Sequence, residues 1–493
     1  MPGTIPWGVV AGVLITFVAI QPVAAQASAG GQSGARRQDL SVFEGLYHYR
    51  NGGTLVMVAD GARLVAVINE AEYYLRPVAV DTFVNPTGDS IPFLRDAAGR
   101  VSAFEEHGDT FARISAAVDA HIRQLFEARP PGENGRPVPY HCVRPPALAD
   151  GIPVGRPGPE TVTCAVAAQI VDGVIDGTYP DVRSVLIYRR NSLVVEEYFY
   201  GFDRERPHQM RSLTKSVISM LAGAALDRGL LRLDEPVLAR LGYSSIANPD
   251  SRKARITLKD LLSNQSGLAC DDHDDASPGS ETKLYDAPDW PKAFVDLPAV
   301  AEPGTVGRYC SFGFLTAGRM IELAAGRPLP EFAQDVLFGP LGIEHGQWHW
   351  TFVLDNSQRD QYGQIYLRPR DMLKLGLLIK QEGKWKNRQV ISKSWIEAAV
   401  AKQSRVDDSD YGLGIWHRWY SVQTSSGRKR VATIMLSGNG GQKIYIVPSL
   451  DLVVVFTGGS FNAESPVNTL MAKALLPALL DARIAPPHAP GRD

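Results

Sequence analysis

The sequence predicts an α/β protein of the α+β kind, an antiparallel sheet flanked by helices, with a small all-β domain before it. Three observations carry that prediction. Short apolar runs broken by turn residues recur about every ten positions in the first part of the chain, as short strands do. Past residue 160, strand-like runs stand at both ends while helical and irregular segments fill the middle, so one sheet is built from distant segments. Between them, a segment from Val217 onward is apolar at helical spacing and follows closely on a serine and a lysine.

Taken in order, residues 9–20 are apolar with one threonine, too short for a bilayer, which needs ~20 residues. Val23-Ala24-Ala25 then reads as a cleavage site before Gln26, although the first seven residues carry no Lys or Arg. Residues 1–25 are therefore expected to be a signal peptide, and 26–40, small and polar, a flexible leader. Residues 41–118 form the all-β domain, with strands at 54–59, 64–68 and 73–77. Its turns fall at Asn51-Gly52-Gly53, Asp60-Gly61, Asn85-Pro86 and Ala98-Gly99. Residues 119–159 are a Pro/Gly-rich linker draped over a surface. Residues 160–484 form the larger domain, and 485–493 a loose tail. In that domain, 184–189 and 193–200 make a hairpin turning at Asn191-Ser192. Strands follow at 431–436, 443–447 and 452–456, and a last helix at 467–481.

The whole-chain numbers narrow the field. A length of 493 residues exceeds what one core usually holds. Hydrophobic residues at 44% and charged residues at 21% are ordinary for a globular protein. A net charge of −2 without a basic run argues against nucleic-acid binding. The cysteines, Cys142, Cys164, Cys270 and Cys310, fit no zinc spacing. In an exported chain they are open to disulfides, and spacing alone leaves all three pairings possible.

Ser-x-x-Lys occurs three times: Ser212 to Lys215, Ser280 to Lys283 and Ser426 to Lys429. The second lies in a polar loop and the third in a charged turn. Only the first opens an apolar helix, with Ile218, Leu221, Ala222 and Ala225 on one face. Ser212 and Lys215 share one side of its first turn. The free N–H groups and dipole of a helix start favour negative charge, which helps a serine become an alkoxide. Burial lowers a lysine's pKa, so Lys215 is expected to accept the serine proton. A capping serine followed by a solvated lysine has the same local pattern, and flanking residues must decide.

They do so by resemblance. Arg211-Ser212-Leu213-Thr214-Lys215-Ser216 resembles the nucleophile segment of the serine β-lactamase and penicillin-binding-protein superfamily. The likeness is nearer to its class C-like branch, which includes family VIII esterases and aminohexanoate-oligomer hydrolases. Further segments agree in order: 260–268, Glu302-Pro303-Gly304 with Tyr309-Cys310-Ser311, 367–372, and Gly438-Asn439-Gly440-Gly441-Gln442. The resemblance implies a β-lactamase-like sheet flanked by helices, plus an all-helical subdomain. It implies Ser212 as the acylated nucleophile, Lys215 as its base partner and Tyr309 as a second proton carrier. The oxyanion and substrate-binding set would be the Ser212 N–H, Asn439, Gly440, Gly441 and Ser311. It also brings Cys270 and Cys310 to one cleft, and their pairing is expected on that ground. The all-β domain is similar to small barrels appended to such hydrolases.

Two departures matter. Ser311 stands where the family has Asn, and no Lys-Thr-Gly is present, so the cation that grips a β-lactam carboxylate must come from elsewhere, Lys443 or Arg418. Both departures favour esters or linear amides of small molecules over β-lactams. The alternatives are a β-lactamase or D-amino-acid peptidase, or a non-catalytic ligand-binding sensor of the same fold. No cofactor is implied. His345 and His349 have ligand spacing without a partner, so no metal site is assigned. Asp271-Asp272-His273-Asp274-Asp275 reads as a solvated acidic loop, with binding of a cation or a substrate amine as the alternative, and Trp348, Trp350, Trp416 and Trp419 as core or pocket lining. A periplasmic or secreted protein with no stable membrane span after signal cleavage is expected.

Overall fold

In the computed structural model, the described residues are 39–481, apart from 50–52, 69, 87, 131, 133, 135–137 and 139. The expected signal peptide, most of the leader, the tail and the turn residues Asn51 and Gly52 lie outside them. No helix among the described residues is long and apolar enough to cross a membrane.

Eight strands close into an antiparallel barrel: β1 (Gly45–His48), β2 (Thr54–Asp60), β3 (Arg63–Ile68), β4 (Ala71–Ala79), β5 (Thr82–Val84), β6 (Ser90–Arg95), β7 (Val101–Glu106) and β8 (Asp109–Ser115). The period-2 pattern explains why. Leu55, Met57, Leu64 and Ala66 point inward onto a cluster rich in aromatic rings that includes Phe43, Tyr47, Phe93 and Phe104. Phe43 belongs to a short helical turn, Leu40–Phe43, so the expected leader already ends in structure at Leu40. The alternate residues Val58, Val65 and Val67 point outward, yet they are buried too, in the core of the larger sheet.

That sheet has eight strands in the order β10-β9-β21-β20-β19-β18-β17-β16, paired antiparallel throughout. They are β9 (Val182–Arg189), β10 (Ser192–Tyr198), β16 (Ser404–Val406), β17 (Ser409–Tyr411), β18 (Trp416–Thr424), β19 (Gly427–Gly438), β20 (Gln442–Val447) and β21 (Leu452–Gly458). The hairpin between β9 and β10 turns at Arg190 and Asn191, both at positive φ, one residue before the expected place. Leu186, Ile444, Ile446 and Val453 face one core, with the helices α2 (Leu213–Asp227), α3 (Ser311–Ala325) and α4 (Pro369–Lys380). Val185, Ile187, Tyr445 and Phe456 face the other, with α1 (Cys164–Ile175) and the C-terminal helical segment. That last segment is helical over Val467–Leu470 and Leu476–Asp481, with a π-turn between.

A small sheet, β11 (His208–Gln209), β13 (Asp360–Leu367) and β12 (His349–Leu354), leads into α2. The described part of the linker is pinned. Asp150 and the Pro146 carbonyl each accept from Arg370 at 2.8 Å, and Cys142 is bonded to Cys164.

Candidate active site

The chain reaches Ser212 along β11. The Met210 N–H donates to the Ile365 carbonyl at 2.8 Å, and Arg211 then takes a φ of 50°. This left-handed turn sets Ser212 at the N-cap of α2, with Lys215 in its first turn. Two hydroxyls anchor that helix: Ser216 donates to the Gly414 carbonyl and Ser219 to that of Leu413, both at 2.6 Å. Lys215 Nζ donates to Ser212 Oγ at 3.0 Å and to Ser311 Oγ at 2.8 Å. It also lies 4.6 Å from the centroid of the Tyr309 ring. Ser212, Lys215, Tyr309 and Ser311, spread over 100 residues of sequence, thus meet at one point. The segment 260–268 supports them from below, where Asn264 Oδ1 accepts from the Cys310 N–H at 3.2 Å.

One acidic residue joins this cluster against expectation. Asp272 Oδ2 accepts from both the Ser311 N–H and the Ser311 hydroxyl at 2.7 Å. Its Oδ1 is buried with no hydrogen-bond partner. His273 stacks on the Tyr309 ring at 4.9 Å, and Trp416 packs on that ring at 5.5 Å. The reading of 271–275 as a solvated loop holds for His273, Asp274 and Asp275, which are exposed, but not for Asp272, which turns inward onto Ser311 close to the Cys270–Cys310 bond. That pairing is the expected one. Glu281 was missed as well. It belongs to the second Ser-x-x-Lys, yet it lines the same cleft as Ser212 and Lys215, taking the Tyr285 hydroxyl at 2.7 Å.

These carboxylates reverse the expected electrostatics. Burial pulls the Lys215 pKa down, but Tyr309, Glu281 and Asp272 together pull harder the other way, and its pKa lies above the ordinary lysine value. The expected lowering of the Lys215 pKa by burial is thus outweighed by the anions around it, which favour its charged form. Asp272 is pushed up to about 6 by burial, with Lys215 and the Ser311 bonds opposing.

The glycine turn after β19 touches the segment leading into Ser212 through Gly438. A Cβ there would lie 2.1 Å from the Met210 carbonyl, so only glycine fits this approach. Asn439, Gly440 and Gly441 stand further along the turn, where the Asn439 amide oxygen accepts from the Asn462 N–H at 2.9 Å and Gly440 pairs with Ser460. Ser311 is held in the Lys215 shell rather than on this edge. Lys443 pairs across from Ser437, on the sheet face of Tyr445, so it points away from α2. Burial and Arg418 push its pKa down to about 8. Of the tryptophans, Trp416 borders the site, Trp348 and Trp350 are core, and Trp419 is exposed under Arg430. A larger recess of about 470 Å³ behind α2 is lined by Tyr243, Trp290 and Asp360, but by none of Ser212, Lys215 or Tyr309.

The Cys270–Cys310 bond spans 40 residues, a closure worth about 4 kcal/mol in chain-entropy terms. It also fixes Asp272 against Ser311. The Cys270→Ser/Cys310→Ser variant should lose stability on that order and lose at least about tenfold in kcat. Cys142→Ser/Cys164→Ser should lose stability with kcat within about twofold when both are assayed well below their Tm. Equal kcat losses in the two variants would show that the bond acts on stability alone.

Comparison with known proteins gives the family of the larger domain. Residues 166–475 match the sequence pattern of the Beta-lactamase family. The chain is 28% identical over 171 residues to penicillin-binding protein 4 of Amycolatopsis lactamdurans, covering 34% of this chain and 41% of that one. It is 23% identical over 292 residues to the 6-aminohexanoate-dimer hydrolase of Paenarthrobacter ureafaciens, covering 55% of this chain and 70% of that one. The octameric penicillin-binding protein homologue of Pyrococcus abyssi superposes with a TM-score of 0.48 at 18% identity, over 65% of this chain and 78% of that one. Since the matched pattern runs from α1 to the C-terminal helical segment, more than half of the chain, the protein belongs to the Beta-lactamase family.

Proposed function

We propose that the protein is an exported serine hydrolase that forms an acyl-enzyme on Ser212 and cleaves esters or linear amides of small molecules. The observation that carries this reading is the 3.0 Å contact from Lys215 Nζ to Ser212 Oγ in a cleft, with the buried Tyr309 ring beside Lys215. Lys215 is the fixed cation that stabilises the anionic charge formed during reaction. Tyr309 Oη is the proposed proton carrier, which takes the Ser212 proton as Oγ adds to the substrate carbonyl. The tetrahedral intermediate collapses, and Tyr309 returns that proton to the departing alcohol or amine. Water then adds to the acyl-enzyme, giving a proton to Tyr309. Ser212 regains it as the acid leaves. The Ser212 N–H and an N–H of the turn from Gly438 to Gly441 are the proposed oxyanion donors, which the contact of Gly438 with Met210 supports. Export is supported by the two formed disulfides, since such bonds persist in oxidising compartments.

The alternative substrate, a β-lactam, needs a group to hold its carboxylate. Neither Lys443 nor Arg418 faces α2 from the sheet, and Ser311 replaces an amide. A charge-assisted hydrogen bond to such an anion is worth about 1.5–3 kcal/mol, roughly tenfold to a hundredfold. Among p-nitrophenyl esters, linear amides and nitrocefin, short linear substrates should exceed nitrocefin in kcat/KM by at least about tenfold. Faster nitrocefin turnover would replace the esterase reading with the β-lactamase one.

A further inference from the structure

Arg211 directly precedes the nucleophile and lines its cleft, yet the chemistry above gives it no task. Its surroundings are unusual for a guanidinium. Nη2 donates to the Tyr73 hydroxyl at 2.8 Å, and Cζ lies 4.9 Å from the Phe461 ring centroid. Nε is buried without a hydrogen-bond partner. Among the described residues, no carboxylate forms an ion pair with it, whereas its neighbours Arg183 and Arg206 are paired with Glu72 and Glu70. The two acids of the cleft are engaged elsewhere: Asp272 holds Ser311, and Glu281 takes the Tyr285 hydroxyl and acts on Lys215. A partly desolvated cation with only neutral partners lacks a counter-charge.

The position suits a substrate group. Phe461 bridges from Arg211 to the glycine turn, since a Cβ on Gly440 would lie 2.7 Å from its ring. The guanidinium, next in sequence to Ser212, is therefore linked through Phe461 to the proposed oxyanion edge. Tyr73 comes from β4 of the barrel, so the barrel holds one end of this guanidinium.

We propose that Arg211, held in place by Tyr73 and Phe461, binds a carboxylate or similar anionic group of the substrate, and that preferred substrates are linear esters or amides with such a group on a short flexible chain. A fused bicyclic lactam fixes its carboxylate relative to the carbonyl. A linear chain is free to turn its charged end to Arg211. This inference rests on Ser212 being the nucleophile.

The test compares p-nitrophenyl butyrate with mono-p-nitrophenyl succinate, which share a leaving group and differ in one terminal charge. Wild type should favour the anionic ester by at least about tenfold in kcat/KM, mostly through KM. Arg211→Gln should bring the ratio near one. Tyr73→Phe, remote from the nucleophile segment, should lower it several-fold even if Arg211→Gln fails to fold. Free succinate should slow fluorophosphonate labelling of wild type and lose that effect in either variant. A wild type that is not labelled at all overturns the hydrolase reading itself. Labelling without a charge preference, or a preference unchanged in both variants, overturns the anion site alone.

Discussion

Ser212→Ala should abolish both turnover and fluorophosphonate labelling, with kcat falling by roughly 10³-fold or more. The size of the effect follows from its position. Ser212 Oγ is the cleft hydroxyl that Lys215 holds at 3.0 Å, at the N-terminus of a helix. Ser280 and Ser426 begin the same four-residue pattern. Ser280 caps a four-residue helix, and the Ser426 hydroxyl lies 3.2 Å from that of Thr424 in the turn between β18 and β19. Ser280→Ala and Ser426→Ala should keep full labelling. Labelling of the Ser212→Ala variant at the wild-type rate would move the nucleophile elsewhere.

Lys215→Ala should lower kcat by about 10²–10⁴-fold, with a smaller change in KM, because the charge acts on the reacting oxygens. Its pH dependence is set by the acids around it. Asp272 has a pKa pushed up to about 6, so it is ionised above that pH and protonated below it. As pH falls through about 6, Ser311 loses an anionic acceptor and Lys215 loses one of the charges that hold it as an ammonium. The kcat/KM profile should therefore drop on the acid side with a midpoint near 6. Asp272→Asn should flatten that limb and lower the plateau. Lys215, Ser311 and Glu281 also act on Asp272, and His273 stacks on Tyr309 beside it. His273→Gln, which cannot ionise, should keep the limb. A limb that survives Asp272→Asn and vanishes in His273→Gln would transfer the titration to the histidine.

What was legible in the sequence was local. The barrel strands β2, β3 and β4 fall on the expected residues because alternation and turn signals act within ten positions or so. The helix after Ser212 was legible because its apolar face repeats at 3.6 residues. Asp272 was not, since a run of acids looks the same whether solvated or folded inward. A disulfide to Cys310 decides, and it lies far along the chain. Glu281 was hidden for the same reason, inside a repeated motif whose loop happens to face Lys215. The charge state of Lys215 needed both. Burial was readable from the helix pattern, but the anions that outweigh it arrive from distant segments.

The valines on the outside of the barrel carry a consequence for how the molecule comes apart. Val58, Val65 and Val67 belong to the same buried cluster as Val185 and Phe456 of the large sheet, and the described residues from Leu40 onward pack as one compact unit. Glu72 of the barrel closes a buried ion pair with Arg183 of β9. Breaking such a pair from one side costs about 3–5 kcal/mol, because the remaining charge stays buried. A proteolytic cut in the linker would therefore not release a free barrel and a free hydrolase. It would leave two fragments held together by a shared core, each with bare apolar surface when pulled apart. The barrel behaves as a subunit captured within its own chain, and its loss would take Tyr73 away from Arg211, the residue before Ser212.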